Sequence, residues 1–133
     1  MDERTQELAQ AWLKKAVSDL RTARLGFETP DGPLDTAIYH CQQTAEKSVK
    51  AFLTLHSLAF DKTHDIAKLV SQAAAVEPCF SELEDAAEEL TPYAVLYRYP
   101  GEQGFIEPSR DELESALKTA ERFVEFVRKR LPA

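Results

Sequence analysis

Residues 34–58 read LDTAIYHCQQTAEKSVKAFLTLHSL, and the spacing of apolar side chains in this stretch decides the fold class. Leu34, Ile38, Cys41, Ala45, Val49, Phe52 and Leu55 recur at steps of three or four. That spacing places them in one stripe on an α-helix. A second stripe, His40, Gln43, Lys47 and Lys50, is polar throughout, and Gln42 and Glu46 lie beside it. A solvated helix face carries scattered Glu and Lys. Here a histidine, adjacent glutamines and a Glu-Lys pair crowd together. Such a face of donors and acceptors suits a phosphate, a base edge or a partner chain. The plainer alternative is a solvated face with a Glu46–Lys50 pair at i,i+4.

Working towards the N-terminus, the turn Glu28-Thr29-Pro30-Asp31-Gly32-Pro33 separates this helix from an earlier one, since its prolines and glycine do not continue a helix. The earlier helix is expected over Thr5 to Phe27. Leu13, Val17, Leu20 and Arg24 mark one ridge on it, and Trp12, Ala16, Ala23 and Phe27 the neighbouring ridge. Together they form a band wide enough to pack on two other helices. Asp19 lies close to that band, either solvated or reaching a basic group on an adjacent helix.

Towards the C-terminus, the central helix is expected to end near Leu58. Thr63 is a candidate N-cap for a short helix through Ile66, Leu69, Val70 and Ala73, with Asp65 in its first turn. Cys79 falls at an expected helix start after Pro78. Ser81 to Glu84 has the pattern of a capping box for a fourth helix, and Thr91-Pro92 that of a restart through Tyr93 and Tyr97. Arg98-Tyr99-Pro100-Gly101 ends it. Ser109 to Glu112 is a second capping box, opening a last helix to about Leu131. The chain is therefore read as all-α, an up-and-down helical bundle of four to five helices in one domain over residues 1–133, with the first, second and last helices as its core. Tyr39, Phe126 and Trp12 on helix edges suggest a self-association face.

Composition narrows the function. The 133 residues carry a net charge of -7 with four glycines and two cysteines. An acidic surface repels duplex phosphate at long range, so nonspecific duplex DNA binding is not expected, although a local basic patch can hold one nucleotide or an RNA end. No stretch approaches the roughly 18 apolar residues of a membrane span. Met1 to Gln10 is polar and acidic, unlike a signal peptide. Cys41 and Cys79 do not form a disulfide framework. A cytoplasmic protein is expected.

Metal and phosphate-loop chemistries find no support. A di-metal bundle needs Glu-x-x-His on two helices, and that pattern does not occur. The cysteines lack zinc spacing, and Gly101 and Gly104 open no phosphate loop. No metal or cofactor is expected. The remaining polar set is His40, Gln43, Glu46, Lys47 and Lys50 on the second helix, His64 opening the third, and Arg98 and Tyr99 closing the fourth. Arg98 is the strongest candidate for phosphate, because its planar guanidinium makes bidentate charge-assisted bonds. Its alternative is stacking on Tyr97 or Tyr99, or bonding to the last helix carbonyls. His64 at a helix start is an exposed or an inward-turned ring.

These residues carry a resemblance. Trp12, Ala16, Asp19, Leu20 and Ala23, then Gln43 to Lys47 continuing to Lys50-Ala51-Phe52-Leu53, then Thr63-His64-Asp65-Ile66 with Leu69, then Arg98-Tyr99-Pro100, occur in an order that resembles the HEPN family over nearly the whole chain. The resemblance implies a bundle of four to five helices, commonly a homodimer. Many members of that family are encoded beside, or fused to, minimal nucleotidyltransferases, and nucleotide or RNA binding is proposed for them.

One branch consists of metal-independent RNases, often toxins, with an Arg followed by a His after four to six residues. In that branch Arg holds phosphate and His acts as acid or base, the pairs of two subunits meeting in the dimer cleft. This sequence departs there: the corresponding positions after Arg98 are Gln103, Gly104 and Phe105. Acid–base cleavage needs a titrating group that reaches the reacting oxygens, which Gln103 does not supply. The expectation is thus a non-catalytic domain that binds a nucleotide or nucleotide-like ligand, as accessory partner of a nucleotidyltransferase in a toxin–antitoxin setting. Arg98, Lys47 and Lys50 contact phosphate in this reading; His40, Gln43, Glu46 and Tyr99 orient the rest. The alternatives are an RNase using Arg98 with His40 or His64, and a homodimeric interaction module without a ligand.

Overall fold

The computed structural model describes residues 2–132, and among these residues five α-helices and two short 3-10 segments account for the regular structure. Helix α1 spans Glu3–Glu28, α2 Leu34–Leu55, α3 Ile66–Val76, α4 Glu84–Leu90 and α5 Arg110–Arg128. The 3-10 segments Pro78–Leu83 and Thr91–Ala94 flank α4. The all-α bundle read from the sequence is the observed fold, with α1, α2 and α5 packed on one another at its centre.

Helix α1 starts where Asp2 accepts a hydrogen bond from the Thr5 amide at 2.7 Å, satisfying one of the free N–H groups of the first turn. Its buried stripe is Ala9, Leu13, Ala16, Leu20 and Ala23. Of the ridge expected through Leu13, Val17, Leu20 and Arg24, the two leucines are buried while Val17 and Arg24 are exposed, and Arg24 pairs with Glu121 of α5 at 2.7 Å. At the α1–α2 turn Asp31 takes a left-handed backbone with φ 56°. A Cβ at Gly32 would run into the Gly26 carbonyl, so a glycine is required there.

Helix α2 stops at Leu55, short of the expected Leu58, because its end is a Schellman motif. Ser57 adopts φ 56°, its amide bonds to the Thr54 carbonyl at 3.0 Å, and the Leu58 amide to the Leu53 carbonyl at 2.9 Å. A left-handed position of this kind usually holds glycine; serine there hides the stop from the sequence.

The side-chain cap of α3 is Asp65, which accepts from the Lys68 amide at 3.3 Å, while Thr63 accepts from the Asp65 amide at 3.1 Å. Ser81 caps nothing: Pro78–Leu83 is a 3-10 segment, and α4 begins at Glu84 without a side-chain cap. Thr91 does not open a new α-helix. Its hydroxyl donates to the Ala87 carbonyl at 2.8 Å and accepts from the Ile66 amide at 3.1 Å, joining the end of α4 to the start of α3. Of the second capping box the Ser109 half holds, with its hydroxyl accepting from the Glu112 amide at 3.0 Å, while the Glu112 carboxylate takes tyrosine hydroxyls instead; α5 ends at Arg128 rather than near Leu131.

One continuous core cluster runs through Leu20, Ile38, Val49, Phe52, Phe80 and Phe123. Helix α2 lies at its centre and is buried on nearly every side from Cys41 to Leu53. No helix among the described residues is long and apolar enough to cross a membrane.

Candidate functional site

The polar face of α2 turns inward. Gln42, Gln43, Thr44, Glu46, Ser48 and Lys50 are all buried, so neither a solvated face nor an open ligand face describes them. A buried polar group is costly unless hydrogen-bonded. Their hydrogen-bond partners come from α2 itself and from His64 in the loop between α2 and α3.

Glu46 is the hub of the first cluster. Its Oε2 accepts from Lys50 Nζ at 2.9 Å; its Oε1 accepts from His64 Nδ1 at 2.8 Å and from Gln42 Nε2 at 3.1 Å. Gln42 Nε2 also donates to the His64 carbonyl at 3.0 Å, and Gln43 Nε2 donates to Gln42 Oε1 at 2.7 Å. Trp12 and Phe60, an edge-on pair, close over the Lys50 ammonium at 5.5 and 5.4 Å from their ring centres. With only 10% of the Lys50 side chain and 5% of the Glu46 side chain exposed, this is a buried ion pair. Burial raises the Glu46 carboxyl, but the bonds from Lys50, His64 and Gln42 outweigh it and hold its pKa below the usual 4.5.

Thus Lys50, expected on phosphate, faces Glu46, and Gln43 and Glu46 use their polar atoms within the fold. His64 is 65% exposed at its side chain yet bonded to Glu46. It ties the α2–α3 loop to α2.

Asp19 is the hub of a second, half-buried cluster. Its Oδ1 lies 2.8 Å from His40 Nδ1 and its Oδ2 accepts from Lys47 Nζ at 2.7 Å. Asp19 therefore reaches basic groups on an adjacent helix, one of the two outcomes its position allowed. The other ring nitrogen of His40 has no hydrogen-bond partner among the described residues.

His40 and Arg98 share a cleft of about 230 Å³ lined also by Asp35, Thr36 and Tyr39. The Arg98 guanidinium lies over the Tyr39 ring, 4.2 Å from its centre, and 5.9 Å from that of Tyr99. A single long bond of 3.5 Å joins it to the Ala94 carbonyl. Its nearest ring is thus Tyr39, which the sequence did not single out, while the more distant Tyr99 ring and the bond to a carbonyl at the helix end match the alternative expected for it. Stacking on an aromatic face leaves the in-plane N–H groups of a guanidinium directed outward. Tyr99 is exposed and does not line the cleft. The cleft contains His40 but not His64.

The segment that carries Arg98 is anchored to α5. Tyr93 and Tyr97 stack at 5.9 Å, and both hydroxyls donate to the Glu112 carboxylate at 2.7 Å. Burial and the Glu112 carboxylate push the Tyr97 phenol up to about 12, and Tyr93 is raised by the same causes. Sequence reasoning missed Glu112 as an anchor because the capping-box pattern already accounted for it. It also missed Asp35 and Thr36, although Thr36, Tyr39 and His40 share one helix face at steps of three and one. Among the described residues, neither carboxylate–histidine pair, Asp19–His40 or Glu46–His64, gathers a third His, Cys, Asp or Glu as a structural zinc site would need.

A bundle of five α-helices with α2 buried at its centre defines the class. The HEPN domain model matches residues 9–130, and the chain belongs to the HEPN family. It is 30% identical over 132 residues to a Methanocaldococcus jannaschii protein named "Putative toxin MJ1304", covering 90% of this chain and 86% of that one. The crystal structure of TT1696 from Thermus thermophilus superposes with a TM-score of 0.82 at 27% identity, covering 92% of this chain and 98% of that one. That of ST0689, described as an archaeal HEPN homologue, gives 0.74 at 22% identity, covering 93% and 98%. The latter likeness concerns the fold alone.

Proposed function

We propose that this HEPN domain binds the phosphate of a nucleotide or nucleotide-like ligand in the Arg98–His40 cleft, without turnover. In this reading it acts in the cytoplasm as the homodimeric partner of a minimal nucleotidyltransferase in a toxin–antitoxin pair. The toxin name of the M. jannaschii relative supports that setting, and two unpaired cysteines suit a reducing compartment.

The observation that carries the reading is the Arg98 guanidinium, stacked on Tyr39 and lining the same cleft as His40. Its charge is met by no carboxylate at ion-pair distance among the described residues. Arginine in that state is suited to bidentate contact with phosphate oxygens. Asp35 would repel a phosphate, and accepts instead from a donor such as a ribose hydroxyl. Calorimetric titration with ATP and GTP tests the site: saturable binding is expected for the native chain and none for Arg98→Ala. Equal binding by both proteins overturns the location, and no heat with either nucleotide overturns the free-nucleotide reading.

A second reading, a metal-independent RNase, is favoured by one observation. Asp19 engages His40 Nδ1 and leaves the other nitrogen unpartnered among the described residues, and His40 lines the same cleft as Arg98, an arrangement useful for acid–base chemistry. It predicts RNA cleavage in EDTA that disappears in His40→Ala. Intact RNA with the native chain overturns it.

A further inference from the structure

Beside the Arg98–His40 cleft lies a second depression along α1 and α2. Thr36 lines both. The neighbouring groove, of about 260 Å³, runs from Thr36 past Thr22, Leu25, Gly26, Pro33 and Ala37 to the turn between the helices. Its lining differs in kind from the cleft: it has no charged residue, and Leu25, Pro33 and Ala37 face it with apolar carbons.

The groove is shallow because the helices close tightly at its floor. A Cβ on Gly26 would lie 2.8 Å from Ala37 Cβ, so this approach is compatible only with glycine at position 26. Leu25 stands beside the floor with 56% of its surface exposed, an apolar wall left open to solvent.

We propose that this groove is the base-binding half of the site, taking the flat apolar face of a nucleobase whose phosphate lies at Arg98 and His40. The inference rests on the phosphate reading above. The antiparallel run of α1 and α2 sets the order of groups: Asp19 is paired with His40, Thr36 and Asp35 follow on α2, and Leu25 and Gly26 lie towards the turn. Phosphate, ribose and base occur in that order along a nucleotide. Size points the same way. Sites for small molecules usually enclose about 300–1,000 Å³; the cleft alone, at about 230 Å³, falls short of that range, so a ligand larger than phosphate would have to extend onto a neighbouring surface. The ligand class is therefore a mononucleotide or a nucleotide end, in preference to a free phosphate or a sugar phosphate.

The test compares AMP with ribose 5-phosphate, which lacks only the base, by calorimetry on the native chain, Leu25→Ser and Arg98→Ala. Leu25 is exposed, so its serine variant is expected to fold as the native chain does. The native chain is expected to bind AMP about tenfold more tightly than ribose 5-phosphate. Leu25→Ser is expected to remove most of that preference without weakening ribose 5-phosphate, whereas Arg98→Ala loses both ligands. Equal binding of AMP and ribose 5-phosphate by the native chain, or an AMP preference unchanged in Leu25→Ser, overturns the groove and leaves the phosphate cleft standing. A Leu25→Ser variant that keeps the preference but dissociates a dimer in sedimentation makes the groove a seam between copies and also overturns the proposal. If neither ligand binds the native chain, the phosphate reading fails and the groove falls with it.

Discussion

Asp19 Oδ1 lies 2.8 Å from His40 Nδ1, so a carboxylate on α1 holds an imidazole of α2 at the wall of the cleft. The second oxygen of Asp19 takes the Lys47 ammonium at 2.7 Å. Replacing Asp19 with alanine releases both groups at once. Loss of the charge-assisted bonds is expected to lower stability by about 1–3 kcal/mol in urea unfolding. It is also expected to weaken ATP binding severalfold by letting His40 turn, while Arg98 remains in place. A variant as stable as the native chain would contradict a structural role for the pair.

The Glu46–Lys50 pair makes a sharper demand. Glu46→Ala leaves the Lys50 ammonium buried between Trp12 and Phe60, and such a loss typically costs about 3–5 kcal/mol. The double replacement Glu46→Leu, Lys50→Met removes both charges, and is expected to be less destabilised than Glu46→Ala. Its pH dependence has a fixed sign. The Glu46 carboxyl is held below the usual 4.5 in the fold, so its contribution is present above 4.5 and is lost as pH falls through the lower folded value. Urea midpoints measured from neutrality into acid should therefore fall more steeply below about 4.5 for the native chain than for Glu46→Gln. Parallel slopes would contradict it.

At the other end of the pH scale the tyrosines report on Glu112. Tyr97 is pushed up to about 12 and Tyr93 is also raised. The unfolded chain releases these protons near the usual 10.0, so stability is fully present below that pH and declines as pH rises towards the folded values. In a phenolate absorbance titration, two of the four tyrosines should ionise late, and Glu112→Gln should bring both closer to 10.0. Because Glu112 anchors the segment that presents Arg98, the same variant is expected to weaken ATP binding without touching the ligand. Unchanged phenolate curves would remove the anchor.

Burial pushes the Cys41 thiol up to about 12, with the Glu89 carboxylate adding to it. A thiol is reactive only as thiolate. Thiol titration of the folded chain should therefore label Cys79, which is half-buried, and reach Cys41 only after denaturant is added. Rapid labelling of both would show that α2 opens readily.

The helices were legible because their apolar spacing and most of their breaks are local signals. Leu34 to Leu55 shows one face at helical steps, and Ser109 caps α5 as its box pattern implies. What escaped was tertiary. The polar stripe of α2 looks outward from its residue types alone; Trp12 and Phe60 covering Lys50 reverse that reading. Serine in the left-handed position at Ser57 and the Thr91 hydroxyl joined to Ile66 leave no local mark either. In the candidate site, Arg98 and His40 were both singled out by side-chain chemistry. That they share a cleft while His64 goes to Glu46 depends on how α2 packs, which residue spacing does not encode.

The most direct test of the Arg98–His40 cleft is a titration of the isotope-labelled chain with ATP followed by amide and histidine ring resonances. Saturable shifts concentrated at Asp35 to His40 and at Arg98, including the His40 ring, are expected. No saturable shift, or shifts confined to a distant surface such as Asp111 to Lys118, would contradict the site.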